Sequence, residues 1–397
     1  MKIGVLRETF PGERRVAIVP ASLPALTKSG FQIVVESKAG EPAGFPDAAY
    51  RDKGAQIASR PEAAASDLVA TVRNAGANSL ATESIPTRSG QVQIGLCDPL
   101  SDPKAVAAIA PSGITLFALE MIPRITRAQS MDVLSSQATV TGYRAVLLAA
   151  EHLPRMFPML MTAAGTITAA RVLVIGAGVA GLQAIAIARK LGAVVHAYDV
   201  RPACREQVES LGGKFVELPI ENAGAEDKGG YARAMDESFY RRQREMLGDV
   251  VATNDVAIST ALVPGKKSPL LITADAVRRM APGSVVVDLA AERGGNCELS
   301  KPDQTVIENG VTILGPTNLA SGNPYHASLM FSNNLTKFLQ NLAPKGELVM
   351  NLDDEIIRDT LLTREGQIVH PRIRDLLHPP APSPAASQAS SGFPNSS

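Results

Sequence analysis

Apolar residues fall in short runs separated by helix-length stretches, and this alternation organises the whole chain. Ile3–Leu6, Phe31–Val35, Leu68–Val72, Val92–Leu96 and Ile114–Leu119 are runs rich in aliphatic residues, of the length buried strands have. Ala21–Ser29 reads as a helix with Gly30 at its C-terminal stop, and Pro103–Ala110 as another. Buried strands alternating with helices predict a parallel sheet covered on both faces. No glycine-rich phosphate loop opens this portion of the chain, so it is expected to be an α/β unit that holds no dinucleotide by itself.

From Met131 to Met156 only Gly142 and Pro154 interrupt a helical pattern, and this helix is expected to carry the chain between domains. Beyond it the alternation resumes at Val172–Ile175, Val194–Tyr198, Val256–Ser259, Val285–Leu289 and Val311–Leu314, five strands of a doubly wound nucleotide-binding fold. Ala327–Leu339 reads as a long helix returning to the first unit. The expected class is α/β, with two Rossmann-like doubly wound parallel-sheet domains, the second inserted in the chain of the first. The boundaries are 1–135 with 327–378 for the outer domain and 136–326 for the inserted one. Residues 379–397, rich in Pro, Ser and Ala, are expected to be a disordered tail. Glu221–Gly230 is polar and glycine-rich, the composition of an exposed mobile loop.

Composition narrows the function classes. Lys plus Arg number 39 and Asp plus Glu also 39, so there is no basic surplus of the kind a nucleic-acid surface needs. Cys97, Cys204 and Cys297 lack paired spacing, which points to a reducing compartment without a disulfide framework or zinc site. The chain runs from Met1 straight into a strand and holds no long apolar run, so neither a signal peptide nor a membrane helix is expected. The five histidines show no ligand spacing, and no metal is assigned.

The chemistry concentrates at Gly176-Ala177-Gly178-Val179-Ala180-Gly181. Strand Arg171–Ile175 precedes it, a helix from Leu182 to Leu191 follows, and Val194–Tyr198 makes the second strand. Gly176 would allow the tight turn, Gly178 the approach of a pyrophosphate, and Gly181 close helix–strand packing. Free N–H groups at the helix start would face the phosphates. Asp199, 18 residues beyond Gly181, would accept the adenosine ribose hydroxyls and repel a 2′-phosphate, favouring NAD over NADP. Arg201 pulls the other way, since a guanidinium there would favour NADP. A glycine turn that binds nothing is the bland alternative.

These residues, with Met161–Thr166, Ala170–Val172, Asp199-Val200-Arg201, Glu206–Phe215, Thr260–Lys266 and Val287–Ala290, resemble the NAD(H)-binding domain I of proton-translocating transhydrogenase. Glu8–Ala17 and Ala43–Asp47 match as well, and the resemblance runs from Met1 to about His370. It implies dinucleotide contacts from Gly176, Gly178, Val179, Ala180, Gly181, Asp199, Val200 and Arg201. It also implies that a loop ending in Gly229-Gly230-Tyr231 closes over bound nucleotide, with Gly230 and Tyr231 as contacts. A plain flexible loop would have the same composition.

In that family the Pro123–Ser135 segment holds the nicotinamide, which carries the roles over to Arg124, Gln129, Asp132 and Ser135. Transfer between two nicotinamides needs stacked, rotationally restricted rings and no nucleophile or proton relay. Arg124 would donate to the carboxamide, Asp132 would orient that guanidinium, and Gln129 would reach towards the second ring. The bland alternative is a polar loop with Ser130 capping the next helix. The resemblance further implies NADP(H) on a partner subunit, a separate membrane proton channel, a homodimer, and a place on the cytoplasmic face of the membrane.

Two other readings compete. Alanine dehydrogenases share the fold, and Arg15 would suit a substrate carboxylate. Their lysine position is Arg73 here, their histidine segment reads Leu96-Cys97-Asp98-Pro99, and their aspartate aligns with Glu292. A nucleotide sensor that transfers nothing would keep Gly176–Asp199 but have no use for the Arg124–Ser135 set.

Overall fold

The computed structural model describes residues 1–219, 237–262, 265 and 267–378. Two sheets dominate the described residues. The first comprises β1 (Lys2–Val5), β2 (Gln32–Glu36), β3 (Gln56–Ala58), β4 (Leu68–Arg73), β5 (Val92–Leu96) and β6 (Thr115–Ala118), closed by β16 (Leu361–Arg364) and β17 (Gln367–Ile368). Its order is β17-β16-β6-β5-β4-β1-β2-β3. The second holds β9 (Arg171–Ile175), β10 (Val194–Tyr198), β11 (Lys214–Phe215), β12 (Val256–Ser259), β13 (Val285–Asp288), β14 (Thr305–Glu308) and β15 (Val311–Leu314), ordered β11-β10-β9-β12-β13-β15-β14. Between them stands a small exposed hairpin, β7 (Leu160–Thr162) with β8 (Gly165–Ile167).

The fold class is the one expected, with the second sheet lying within the chain of the first. Neither sheet is parallel throughout. β16 adds antiparallel to β6, β17 antiparallel to β16, and β14 antiparallel to β15. These strands lack the continuous apolar run: β14 alternates exposed and half-buried residues, and β17 is two residues long. An edge strand needs only one paired side, so its sequence carries a weaker signal.

The linking helix spans Val133–His152, shorter at both ends than its pattern suggests. Thr126–Met131 precedes it as a 3-10 turn, and the N-cap is Asp132, not Ser130. Asp132 accepts from the Ser135 N–H at 2.9 Å and from its hydroxyl at 2.6 Å. Its first turn buries Val133 in the first core, whereas Ala145, Val146 and Ala149 belong to the second. One rigid element is therefore anchored in both cores.

The return helix, Pro324–Leu342, buries Phe331, Leu335, Phe338, Leu339 and Leu342 in the first core. Its buried Ser328 and Ser332 hydroxyls accept from the N–H groups of Val16 and Val19, each at 3.0 Å. That segment runs outside the sheets, so the serines satisfy backbone donors that would otherwise be buried without partners.

Where the linking helix crosses the helix Val179–Lys190, Gly142 lets the two backbones meet. A Cβ at Gly142 would lie 2.1 Å from the Ala180 carbonyl oxygen. Gly142→Ala improves helix propensity by up to about 1 kcal/mol, but the clash is with backbone and cannot be relieved by a rotamer. The variant is expected to lose about 1–3 kcal/mol in urea unfolding. A gain in stability would refute the close-packing account.

Candidate functional site

A cleft of about 440 Å³ opens between the two units, at the C-terminal ends of their strands. One wall comes from the loops after β5 and β6 and from the first turns of the linking helix. The other comes from the loops after β9, β10 and β12. In the second sheet the chain steps outward from β9 through β10 to β11, then returns to place β12 on the other side of β9. The cleft sits at this reversal, where neighbouring loops diverge and leave room for a ligand.

The glycine fingerprint fits a diphosphate by its local geometry. Gly176 has φ +98°, and its N–H donates to the Tyr198 carbonyl at 2.8 Å. A Cβ on Gly181 would fall 1.8 Å from the Gly176 carbonyl oxygen, whereas a Cβ on Gly178 would meet open space. The helix begins at Val179 with Gly178 as N-cap, three residues earlier than the apolar pattern alone suggests, and no side chain caps it. Its first-turn donors and the dipole's positive end thus face the cleft at Gly178, Val179 and Ala180.

Asp199, Val200 and Arg201 line the cleft beside the fingerprint. Asp199 is buried. Its carboxylate accepts from the Ala177 N–H at 2.7 Å and the Arg201 N–H at 2.9 Å. The Arg201 guanidinium takes both oxygens, Nε at 2.9 Å and a terminal nitrogen at 2.8 Å.

Arg124, Ser135 and Ala138 line the opposite stretch. Gln129 is exposed on the 3-10 turn and is not among the lining residues. Asp132 is occupied with Ser135 and does not hold the Arg124 guanidinium, so its role here is to cap and orient the helix that presents Ser135. Gly230 and Tyr231 lie outside the described residues.

The network behind the β12 loop was not legible in the sequence. Asp288 is fully buried at the end of β13 and accepts from Ala290, Asn296 and Cys297 N–H groups at 2.8–2.9 Å and from the Ser300 hydroxyl at 2.6 Å. This holds Asn296, whose amide grips Ala261 at both N–H and C=O. Ala261 lines the cleft, so Asp288 shapes it through one intermediary. The signal was the Asp288 to Gly294-Gly295-Asn296 spacing, where both glycines take positive φ.

A second buried polar group lies behind the linking helix. Arg15 donates to both Glu13 oxygens at 2.8 and 2.7 Å and to Gln137 at 2.9 Å, and Arg73 reaches Glu13 at 3.0 Å. Burial alone would raise the Glu13 carboxyl, but Arg15 and then Arg73 outweigh it and hold it well below the usual range. Glu8, desolvated and beside Glu13, is pushed up to about 8. At the cleft edge Asp98, at φ +50°, pairs with Arg293 at 2.6 Å. Glu292 is exposed.

Glu120 lines the cleft, with one oxygen accepting from Cys97 and Asp98 N–H groups and the other buried without a partner. Burial pushes its carboxyl up to about 7. A carboxyl raised on folding binds its proton more tightly in the native state. Its contribution is therefore complete below the unfolded value near 4.5 and is lost as pH rises through 7. Glu120→Gln is expected to flatten the fall in melting temperature between about pH 5 and 7. Parallel wild-type and variant curves would show that Glu120 titrates normally.

Comparison with known proteins agrees with this geometry. The family models described as Alanine dehydrogenase/PNT match in both halves, the N-terminal domain over residues 4–141 and the C-terminal domain over 145–371. The first of the polypeptides that make up the NAD(P) transhydrogenase alpha subunit of Rhodospirillum rubrum is 47% identical over 379 residues, spanning 94% of this chain and 99% of that one. The solved transhydrogenase from Sinorhizobium meliloti superposes with a TM-score of 0.83 at 42% identity, covering 93% of this chain and 100% of that one. Alanine dehydrogenase of Bacillus subtilis is more distant, 27% identical over 98% of both chains. The chain belongs to the alanine dehydrogenase/transhydrogenase family, on the side of the transhydrogenase alpha subunits.

Proposed function

We propose that the chain is the NAD(H)-binding subunit of a proton-translocating transhydrogenase, taking NADH in the cleft and passing a hydride to NADP+ on a partner subunit. The observation that carries this reading is the division of the cleft. An uncapped helix start and Asp199 lie along one wall, and Arg124 and Ser135 face them from the other unit. Bound dinucleotide supplies the hydride. The chain's own residues hold and orient: Gly178, Val179 and Ala180 face the diphosphate, Asp199 the ribose, Arg124 and Ser135 the carboxamide. Asp132 positions Ser135. Gln129, exposed on the 3-10 turn, would contact a partner's ring, and Gly230 and Tyr231, outside the described residues, would contact the nucleotide in this reading.

Hydride transfer between two aligned nicotinamides gains its rate from proximity and restricted rotation, not from acid–base groups. The membrane component would couple the transfer to proton movement. No helix among the described residues is long and apolar enough to cross a membrane. In this reading the chain would work as a homodimer at the membrane's cytoplasmic face.

An amino-acid dehydrogenase reading is disfavoured by the buried cluster. Arg15 and Arg73 are both committed to Glu13, and Asp98 is paired with Arg293 where that chemistry needs a histidine. A substrate carboxylate would have to displace a buried carboxylate held by two arginines, at a cost of several kcal/mol.

Stopped-flow transfer from NADH to an acetylpyridine analogue of NADP+ tests the proposal. Transfer is expected only when an NADP(H)-binding transhydrogenase domain is added, with no reduction of NAD+ by L-alanine. Alanine oxidation by the chain alone would overturn it. Arg124→Ala should slow transfer far more than it weakens NADH binding, and an unchanged rate would remove this loop from the reaction. Asp199→Ala should weaken NADH binding by about 1–3 kcal/mol, the cost of losing hydrogen bonds to a charged group. Intact binding would exclude its ribose role.

A further inference from the structure

We propose that Arg127 is a positioning residue for hydride transfer: clamped to Asp354, it fixes the turn that presents the Arg124–Ser135 wall. The proposal rests on the NADH reading of the cleft.

Arg124 and Ser135 stand on either side of the 3-10 turn Thr126–Met131. Six residues is long for such a turn, whose hydrogen bonds are poorly aligned, so its shape needs outside support. The support comes from the C-terminal part of the chain. Ala128 and Met131 are buried in the first core, and the Asn334 amide of the return helix donates to the Ser130 carbonyl at 2.9 Å. Arg127 adds a charged tie. Its two terminal nitrogens fork onto the two oxygens of Asp354 at 2.5 and 3.2 Å, and one also donates to the Asn341 side-chain oxygen at 3.3 Å.

Asp354 is the fixed end of this clamp. It accepts from the Asn341 amide at 2.9 Å and from the Ile356 N–H at 3.0 Å, capping the helix Glu355–Thr360. Ile356 and Ile357 of that helix are buried in the first core. Hydrogen bonding from Arg127 is the largest influence on the Asp354 carboxyl and holds it down to about 2, so the pair stays charged at neutral pH. Exposed ion pairs usually contribute little, but a bidentate fork within a network is the exception. Arg127 is exposed and is not among the residues lining the cleft, so it acts through the turn's backbone and not on a ligand.

Transfer between stacked rings is sensitive to placement on the ångström scale. A turn released from its clamp would shift Arg124 and Gln129 relative to Ser135, which its own helix holds in place. NADH would still bind through the fingerprint wall, but its ring would be held less closely.

The experiment is single-turnover transfer from NADH to the acetylpyridine analogue of NADP+ with the NADP(H)-binding partner domain added. Fluorescence titration with NADH and thermal melting run beside it, on the full chain and on Arg127→Ala, Arg127→Lys and Asp354→Asn. Arg127→Ala and Asp354→Asn are each expected to slow transfer about tenfold, with NADH affinity unchanged within about twofold. That is less than the roughly 10²-fold that a misplacement of about 1 Å can cost. Arg127→Lys, a point charge without the fork, should fall between. Combining Arg127→Ala with Asp354→Asn should slow transfer no further than either alone, since both remove one contact. If the alanine variant loses its fold, the lysine variant carries the test through the same split between rate and affinity. An unchanged rate with a lowered melting temperature, or affinity falling in step with rate, would reduce the clamp to a structural tie. Wild-type chain that transfers nothing to the partner-held acceptor would overturn the functional reading and this inference with it. Wild-type transfer that the variants leave intact removes only this inference.

Discussion

The contact between Gly142 and the Ala180 carbonyl is the constraint on which the cleft depends. It lets the linking helix lie directly on the first turn of the fingerprint helix. Seven residues back along the linking helix, about 10 Å at 1.5 Å per residue, stands Ser135 on the opposite wall. The distance between the fingerprint turn and the Arg124–Ser135 wall is therefore set within one helix. Because that helix is buried in both cores, the distance does not rest on the surface contacts between the two units.

Carboxylates build this site more than they react in it. Asp132 caps a helix, Asp288 organises a loop, Glu13 binds two arginines, and Asp98 ties Arg293. Each buried one is matched by donors, the condition under which burying a charge is tolerable. Glu120 is the member of the cleft wall that keeps a large protonated fraction at neutral pH, because burial outweighs the N–H groups that bind it.

Strands were the most legible part of the sequence. Val92–Leu96, Val194–Tyr198, Val256–Ser259 and Val311–Leu314 are strands at those residues, since central parallel strands are buried on both faces and read as continuous apolar runs. The glycine fingerprint and Asp199 were legible for a related reason: each glycine answers a local backbone demand. Helix starts were less so. The fingerprint helix begins at Val179, and that start is hidden in the sequence because Val179 is exposed and the turn lacks the apolar stripe that marks the rest. Asp132 was read as a partner of Arg124, but a carboxylate just ahead of a helix is drawn to the unpaired N–H groups of its first turn. Gly142 passed as a mere interruption, because the need for a glycine there comes from Ala180, 38 residues later in the chain.

Two ion pairs on the cleft wall differ in their surroundings. Asp98–Arg293 joins loops from the two units, with side chains 29% and 33% exposed. Water and salt screen such a pair, and its contribution to holding the units together is on the order of 1 kcal/mol or less. Asp199–Arg201 lies within one turn of chain and is far better shielded. A nearby, desolvated cation is felt strongly by anything that competes for its carboxylate, while changing nothing in the relative placement of the units. Shape in this molecule thus comes from apolar helix packing, and local order at the β10 end of the cleft comes from a short-range charge pair.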